Sequence, residues 1–236
     1  MVDIHCHLLY GVDDGAKTLD IARQMLSDAA AQGITDIILT PHYRQGMFLF
    51  DLKTIEAAYD VIYDEAKQRK IRVFPGCEYH VDADMIKNLR SGRCPTLARG
   101  DYVLSEFSHA ATFVQIRNSL ESLLAAGYIP VMAHVERIDA FIHDPSLLQE
   151  CKNMGAMIQI NANGVLGKDG SKTKKTCVKL LKAELADVIA SDSHNMDDRR
   201  SRMAQCRDYI AKEYGWDYSM KLFTTNPLKI LSTSRL

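Results

Sequence analysis

No apolar run in this sequence approaches the ~18 residues that a membrane-spanning helix needs, so membrane insertion is not expected. Charge of one sign is not in excess either. With 29 Lys and Arg against 30 Asp and Glu, and no long basic run, the chain lacks the footprint of a nucleic-acid or anionic-membrane binder. The start, "MVDIHCH", has neither the basic opening nor the apolar stretch of a signal peptide, and a cytoplasmic protein is expected. The six cysteines include no Cys-x-x-C pair, which fits buried thiols in a reducing compartment better than a disulfide framework. The segment "CPTLARG" brings Arg99 one residue too close to Cys94 for the Cys-x5-Arg loop of a cysteine-based phosphatase. No Gly-x-Gly-x-x-Gly follows the first apolar run, which weakens a dinucleotide-binding reading.

What is present is a repeated alternation. Apolar, β-branched runs at 2–7 ("VDIHCH"), 36–42 ("DIILTPH"), 71–80 ("IRVFPGCEYH"), 101–108 ("DYVLSEFS"), 129–134 ("IPVMAH"), 157–164 ("MIQINANG") and 187–194 ("DVIASDSH") read as strands. Helical patterns lie between and after them, at 19–32, 53–70, 113–126, 145–154, 171–183 and 198–214. Thr18 is placed as an N-cap, and Gly33, Gly127 and Gly155 stand just past helix ends. The strands start about 30 residues apart, the length of one strand–helix unit. Evenly spaced units favour a closed parallel barrel over an open sheet, and the expected fold is α/β, a distorted seven-unit (β/α)7 TIM-like barrel. No linker or low-complexity segment divides the chain, so a single domain over 1–236 is expected.

In such a barrel, chemistry is carried by the carboxyl ends of the strands. Here those ends supply His5 and His7, His42, Glu78, Glu106, His134, and Asp192 with His194. One such histidine is more often a hydrogen-bonded structural residue; six of seven strands ending in metal-ligand residue types is a different matter. Side chains two apart share a strand face, so His5 with His7 and Asp192 with His194 can each offer two donors. Asp14, in the loop after the first strand, can fold back onto the same rim. Five imidazoles and four carboxylates suit zinc, manganese or iron rather than calcium or magnesium alone. Up to three divalent ions against four carboxylates leave about +2, a match for a phosphate dianion. Arg137 and Arg199 lie near His134 and His194 in sequence, and as guanidinium forks could take phosphoryl oxygens rather than form surface ion pairs.

The segments "DIHCH", "DDG", "TPH", "GCEY", "SEFS", "AHVER" and "ASDSHN" resemble, in order and spacing, the polymerase and histidinol phosphatase (PHP) superfamily over residues 3–199. They are most similar to its bacterial tyrosine phosphatase branch, the manganese-dependent regulators of capsule and exopolysaccharide synthesis. The resemblance implies that His5, His7, Glu78 and Asp192 hold one metal. Glu78 would bridge to a second held by Glu106 and His134, and Asp14, His42 and His194 would hold a third. It implies manganese, with iron, zinc, cobalt or magnesium as alternatives, and makes Arg137 and Arg199 the phosphate-binding arginines. The implied partner is an autophosphorylating bacterial tyrosine kinase; assembly of the phosphatase into a homo-oligomer stays open. The reaction so implied is attack on phosphorus by a metal-bridging hydroxide, with a metal-bound water or His42 as candidate general acid. The loop at 43–50 ("YRQGMFLF") could flank a tyrosyl ring, or serve core packing or a subunit contact. Two rival readings use the same residues: a small-molecule phosphatase such as one acting on histidinol phosphate, and a non-catalytic metal-binding protein.

Overall fold

The computed structural model describes residues 1–48 and 51–234. Every one of the seven apolar runs contains a strand, but two of them break in the middle. The strands are β1 (Val2–Cys6), β2 (Asp36–Leu39), β3 (His42–Tyr43), β4 (Arg72–Pro75), β5 (Glu78–His80), β6 (Tyr102–Glu106), β7 (Ile129–Met132), β8 (Met157–Asn161) and β9 (Val188–Ala190). Pro41, which has no N–H to give a ladder, separates β2 from β3, and Gly76 separates β4 from β5. All pairings are parallel, in the orders β1-β2-β4 and β3-β5-β6-β7-β8-β9. The ends of the chain of strands meet through Asp192 N–H to His5 O (2.9 Å) and His7 N–H to Ser193 O (2.9 Å), with a parallel bridge between Cys6 and Ser193. The sheet thus curls on itself in the parallel α/β barrel manner expected.

Helices cover the outside, in the places the periodicity indicates. Leu19–Ala31 is capped by Thr18, whose hydroxyl accepts from Ile21 N, and Phe113–Ala125 begins with a reciprocal Thr112–Gln115 capping box. Leu147–Met154 ends at Gly155, whose φ of 113° only glycine adopts without strain. The last long helix starts at Met203 rather than at 198. The intervening residues are diverted into a loop in which Asn195 Oδ1 accepts from Asp197 N and Arg199 N, and His194 N donates to Arg199 O, turning Arg199 back toward the strand ends.

The barrel interior has two layers. Val2, Ile4, Ile38, Leu104, Val131, Val188 and Ala190 form an apolar floor, closed from below by Leu97, Ala98 and Ile230. Polar side chains fill the layer above. The last segment, which the sequence leaves unread, is helical through 216–232 and serves as this plug. Asn226 Nδ2 donates to Asp187 O, and Thr233 Oγ1 accepts from Asp101 N. The turn at Gly100 runs so close to Thr233 that a Cβ there would lie 2.2 Å from Thr233 Oγ1.

A β-bulge decides which face of β1 looks inward at each end. Its pairing with β2 runs Asp3↔Ile37 and then Cys6↔Leu39, so one extra residue is inserted between them. Before the bulge the even residues Val2 and Ile4 join the floor; after it the odd residues His5 and His7 turn into the barrel. Replacing Ile230 with Ala should cost about 2–4 kcal/mol in urea unfolding, the range for emptying a buried aliphatic site. Leu228→Ala, on the exposed side of the same helix, should stay within about 0.5 kcal/mol. Equal losses for the two variants would contradict the plug.

Candidate metal centre

The side chains named from the strand ends meet in one place. His5, His7, Glu78 and Asp192 form one group of potential ligand atoms, all within 4.8 Å of one another. His7, Asp14, His42 and His194 form a second, and His42, Glu78 and Glu106 a third, by the same measure. His134 is outside these groups but touches them, its Nε2 lying 2.8 Å from Glu78 Oε1. The pattern differs from the resemblance in two details: His7 also belongs with the Asp14 group, and His42 stands beside Glu78 and Glu106 where His134 is expected.

Glu78 is the centre of the cluster and has no solvent exposure. Its Oε2 lies 3.1 Å from His5 Nε2, 3.2 Å from His7 Nε2 and 3.0 Å from His42 Nδ1. Yet Glu78 Oε2, His42 Nδ1, His134 Nδ1 and His194 Nε2 are buried with no hydrogen-bond partner among the described residues. The contacts are close without being aligned as hydrogen bonds, which is how ligands of a shared cation face one another. The histidine tautomers point the same way. His7 Nδ1 donates to Asp13 Oδ2 (2.8 Å) and His194 Nδ1 to the Asp192 carbonyl (2.9 Å), so each Nε2 carries a lone pair turned into the cluster. His5 Nε2 and His7 Nε2 are 3.1 Å apart. Imidazole and carboxylate donors in this number, with no thiolate among them, fit borderline divalent metals.

Electrostatics keep the carboxylates ionised. Burial opposes charge on Asp192, but His5, Arg137 and His194 hold its carboxyl far below the ordinary range. Glu78 is likewise held well down by His5 and His42, and Asp14 by His194 and His42, in each case against burial. Burial also works against Asp13, whose carboxyl is lowered to about 2 by His7 and by the N–H groups of His42 and Gly15. The two arginines converge on Asp192 from opposite sides. Arg137 Nη1 is 3.1 Å from Oδ2 and Arg199 Nη2 is 3.4 Å from Oδ1, while their other nitrogens reach Asp169 (3.5 Å) and Asp14 (3.1 Å). Each guanidinium is partly exposed.

Several residues of the site are absent from the sequence expectation. Asp13 holds His7, His42 N–H (3.0 Å) and Gly15 N–H (2.8 Å) together. Gly15 has no room for a side chain, since a Cβ would lie 2.2 Å from His7 O. The doublet "DDG" offers two aspartates, and only the loop geometry tells which one supports and which one faces the cluster. His80 Nδ1 donates to Glu106 Oε2 (2.9 Å), one strand position pair beyond Glu78. Gln159 and Asn161 alternate on the single predicted strand that has no ligand type at its end. In the loop after His42, Tyr43 is buried and stacks on Tyr79, while the Phe48 ring lies parallel to His42 at 5.0 Å between centroids. Leu49 and Phe50 of that loop fall outside the described residues.

A family model described as "Capsular polysaccharide synthesis, CpsB/CapC" matches residues 1–232. The tyrosine-protein phosphatase CpsB of Streptococcus pneumoniae is 34% identical over 238 residues, 98% of each chain. The tyrosine-protein phosphatase YwqE of Bacillus subtilis (strain 168) is 32% identical over 219 residues, 91% of this chain and 85% of that one. A solved structure from a study of YwqE and CpsB, described as unique metal-dependent tyrosine phosphatases, superposes with a TM-score of 0.92. It is 30% identical and covers 100% of this chain and 96% of the other. A histidinol phosphate phosphatase of Lactococcus lactis shares the fold alone, at 19% identity and a TM-score of 0.60 over 91% of this chain and 94% of that one.

Protein stripped of divalent ions by a chelator should show a characteristic pH response. Burial would lower the histidines of the cluster, but Asp13 and Glu78 raise His7 to about 9, and Glu78 and Asp14 raise His42 to about 11. A folded-state value above the unfolded one, about 6.5, stabilises fully below 6.5 and loses that contribution as pH climbs toward the folded value. The melting temperature of chelated protein should therefore fall between about pH 6.5 and 9. Affinity for added metal should rise in that window, because binding displaces the same protons. A flat profile in both measurements would contradict the charge assignment.

Proposed function

The chain belongs to the capsular polysaccharide synthesis CpsB/CapC family, and from that premise we propose that it is a metal-dependent protein-tyrosine phosphatase, a phosphoric monoester hydrolase folded as one domain over the whole chain. Its substrate in this reading is a phosphotyrosine-bearing bacterial tyrosine kinase of capsule or exopolysaccharide synthesis, and its metal is manganese. A cytoplasmic site of action suits six cysteines that are all buried and free. No described helix is long and apolar enough to cross a membrane. The observation that carries the reading is Glu78 Oε2, ringed by three imidazole nitrogens within 3.2 Å, without a hydrogen bond, beneath two partly exposed arginines.

The ligands proposed are His5, His7, Asp14, His42, Glu78, Glu106, His134, Asp192 and His194. Divalent ions held there supply positive charge toward a phosphoryl group and make hydroxide available at neutral pH. The remaining work falls to the chain itself. Arg137 and Arg199 each present a guanidinium whose present partners are carboxylates; turning outward, each can take two non-bridging phosphoryl oxygens and offset the charge of the transferring group. Asp192 loses nothing essential in that exchange, because Asn161 Nδ2 still donates to its Oδ2 at 2.8 Å. His42 combines a place in the cluster with slight exposure and is the proposed proton carrier toward the leaving oxygen. The demand on it is small, since a phenol has a pKa of about 10. The partly buried Phe48, lying flat against His42, offers an aromatic face to the ring of the substrate.

The deciding experiment is a comparison of phosphotyrosyl peptide and histidinol phosphate as substrates, before and after chelation and after manganese is returned. Release of phosphate from the peptide, abolished by chelation and restored by manganese, is expected. Preference for histidinol phosphate would favour a small-molecule phosphatase, and no release from either would leave a metal-binding protein without catalysis. Arg137→Ala should lower kcat/KM by about 100- to 1,000-fold with metal content intact, the size of effect seen when one donor to a developing oxyanion is lost. Normal turnover with full metal would remove Arg137 from the site. Phe48→Ala should raise KM for aryl phosphates and leave alkyl phosphates unchanged; an equal change for both would deny Phe48 its part in recognition.

A further inference from the structure

β8 brings no imidazole or carboxylate to the cluster, yet it reaches the polar layer with two buried amides, Gln159 and Asn161. Their side chains point the same way by strand alternation. A backbone N–H can only donate, and the N–H of His134 lies 3.0 Å from Gln159 Oε1, so that atom is an oxygen and the amide has one orientation. His5 Nδ1 lies 3.2 Å from the same oxygen and must therefore carry the proton. Its Nε2 is left with a lone pair, facing His7 Nε2 and Glu78 Oε2. The other end of the amide follows by elimination. Gln159 Nε2 donates to Asn161 Oδ1 (2.7 Å), which turns Asn161 Nδ2 toward Asp192 Oδ2 (2.8 Å).

We propose that Gln159 and Asn161 are positioning residues for the metal centre: a one-way hydrogen-bond chain, started by the His134 N–H, that locks the His5 tautomer at one end and the Asp192 carboxylate at the other. The direction of the whole chain is set by a backbone group, so neither amide can turn over without placing donor against donor in a dry site. The starting residue is itself held in an uncommon conformation. His134 has φ 34° and Asp192 φ 50°, the left-handed region for non-glycine residues, so the two backbone positions at either end of the chain are both strained. Strain at these two positions aims the His134 N–H inward and sets Asp192 across from Asn161. A third tie comes from Glu136, buried without exposure, whose Oε1 accepts from the Asn161 backbone N–H at 3.0 Å. It fixes the end of β8 against the turn that carries His134 and Arg137.

The inference rests on the cluster being a metal site, and its test separates the two. The probe is Mn²⁺ alone, titrated calorimetrically into chelator-treated, dialysed full-length protein, with histidine ring ¹⁵N spectra recorded on the same samples. Wild-type protein should bind Mn²⁺ and show His5 as the Nδ1–H tautomer before metal is added. Gln159→Met, similar in length but only a weak acceptor, should weaken Mn²⁺ binding by about 10- to 100-fold and mix the His5 tautomers. Asn161→Ala should weaken binding while leaving the His5 tautomer in place, because it cuts only the Asp192 end. Gln159→Glu keeps the acceptor and should restore the tautomer, so it also carries the test if the Met variant does not fold. Wild-type binding with unchanged affinity and an unchanged His5 tautomer in all folded variants would overturn the proposal while sparing the metal site. Failure of the wild-type protein to bind any Mn²⁺ would overturn both.

Discussion

Glu78 is a carboxylate with no access to water, surrounded by imidazole nitrogens, and the rest of the molecule is arranged so that it can remain ionised there. Burying an unpaired charge is prohibitive, and a group so placed neutralises itself unless something compensates it. Two histidines from the end of β1 and one from β3 approach one of its oxygens, and a fourth, His134, approaches the other. Two of those nitrogens, on His5 and His7, offer lone pairs when their rings are neutral, because their opposite ring nitrogens already donate to Gln159 and Asp13. Acceptors packed against acceptors are stable only with positive charge among them. Protons can supply it at the expense of lifting His7 and His42, and divalent cations supply it without that penalty.

The fold meets this demand by dividing the barrel interior. Aliphatic side chains low in the barrel make a dry floor, and the chain's last helical segment seals it with Ile230. Above the floor nearly every inward position is polar, and the change of character happens within single strands: Leu104 then Glu106, Ala190 then Asp192, Ile38 then His42. Along most strands, alternation alone achieves this. β1 is the exception, since simple alternation would send Cys6 inward and both histidines out. One inserted residue between Asp3 and Cys6 reverses the facing, and the two imidazoles that meet Glu78 owe their position to it.

That contrast explains what was legible in the sequence. His42, Glu78, Glu106, His134, Asp192 and His194 could be read because strand ends are marked by turn residues and because chemistry concentrates there. A spacing of two puts His5 and His7 on one strand face, but it says nothing about which face is inward, and a bulge leaves no residue signature. Breaks at Pro41 and Gly76 turned two expected strands into four, although both residues are the usual punctuation of a strand. Asp13, Gln159 and Asn161 escaped for a different reason. Residues that orient other side chains have no characteristic spacing; their partners are 6, 154 and 31 positions away, and only the folded chain brings them together. Arg199 stands near His194 in sequence, but the loop that turns it inward has a pattern that reads as the start of a helix.

The two acids next to Arg137 show how the site keeps that arginine available. Glu136 is adjacent in sequence and fully buried, and burial pushes its carboxyl up, toward the neutral form, despite Arg137 and His134 nearby. Asp192 is also buried, yet it is driven the other way by His5 and Arg137. Environments that separate two carboxyl groups in this manner assign them different tasks. Glu136, pushed toward its neutral form by burial, accepts from the Asn161 backbone N–H. Asp192, firmly ionised, holds Arg137 at 3.1 Å and Arg199 at 3.4 Å at the edge of the cluster. An incoming dianion then competes for Arg137 with Asp192, already supported by Asn161, and with the more distant Asp169. Both guanidinium groups keep a partly exposed edge from which a phosphoryl group can be met.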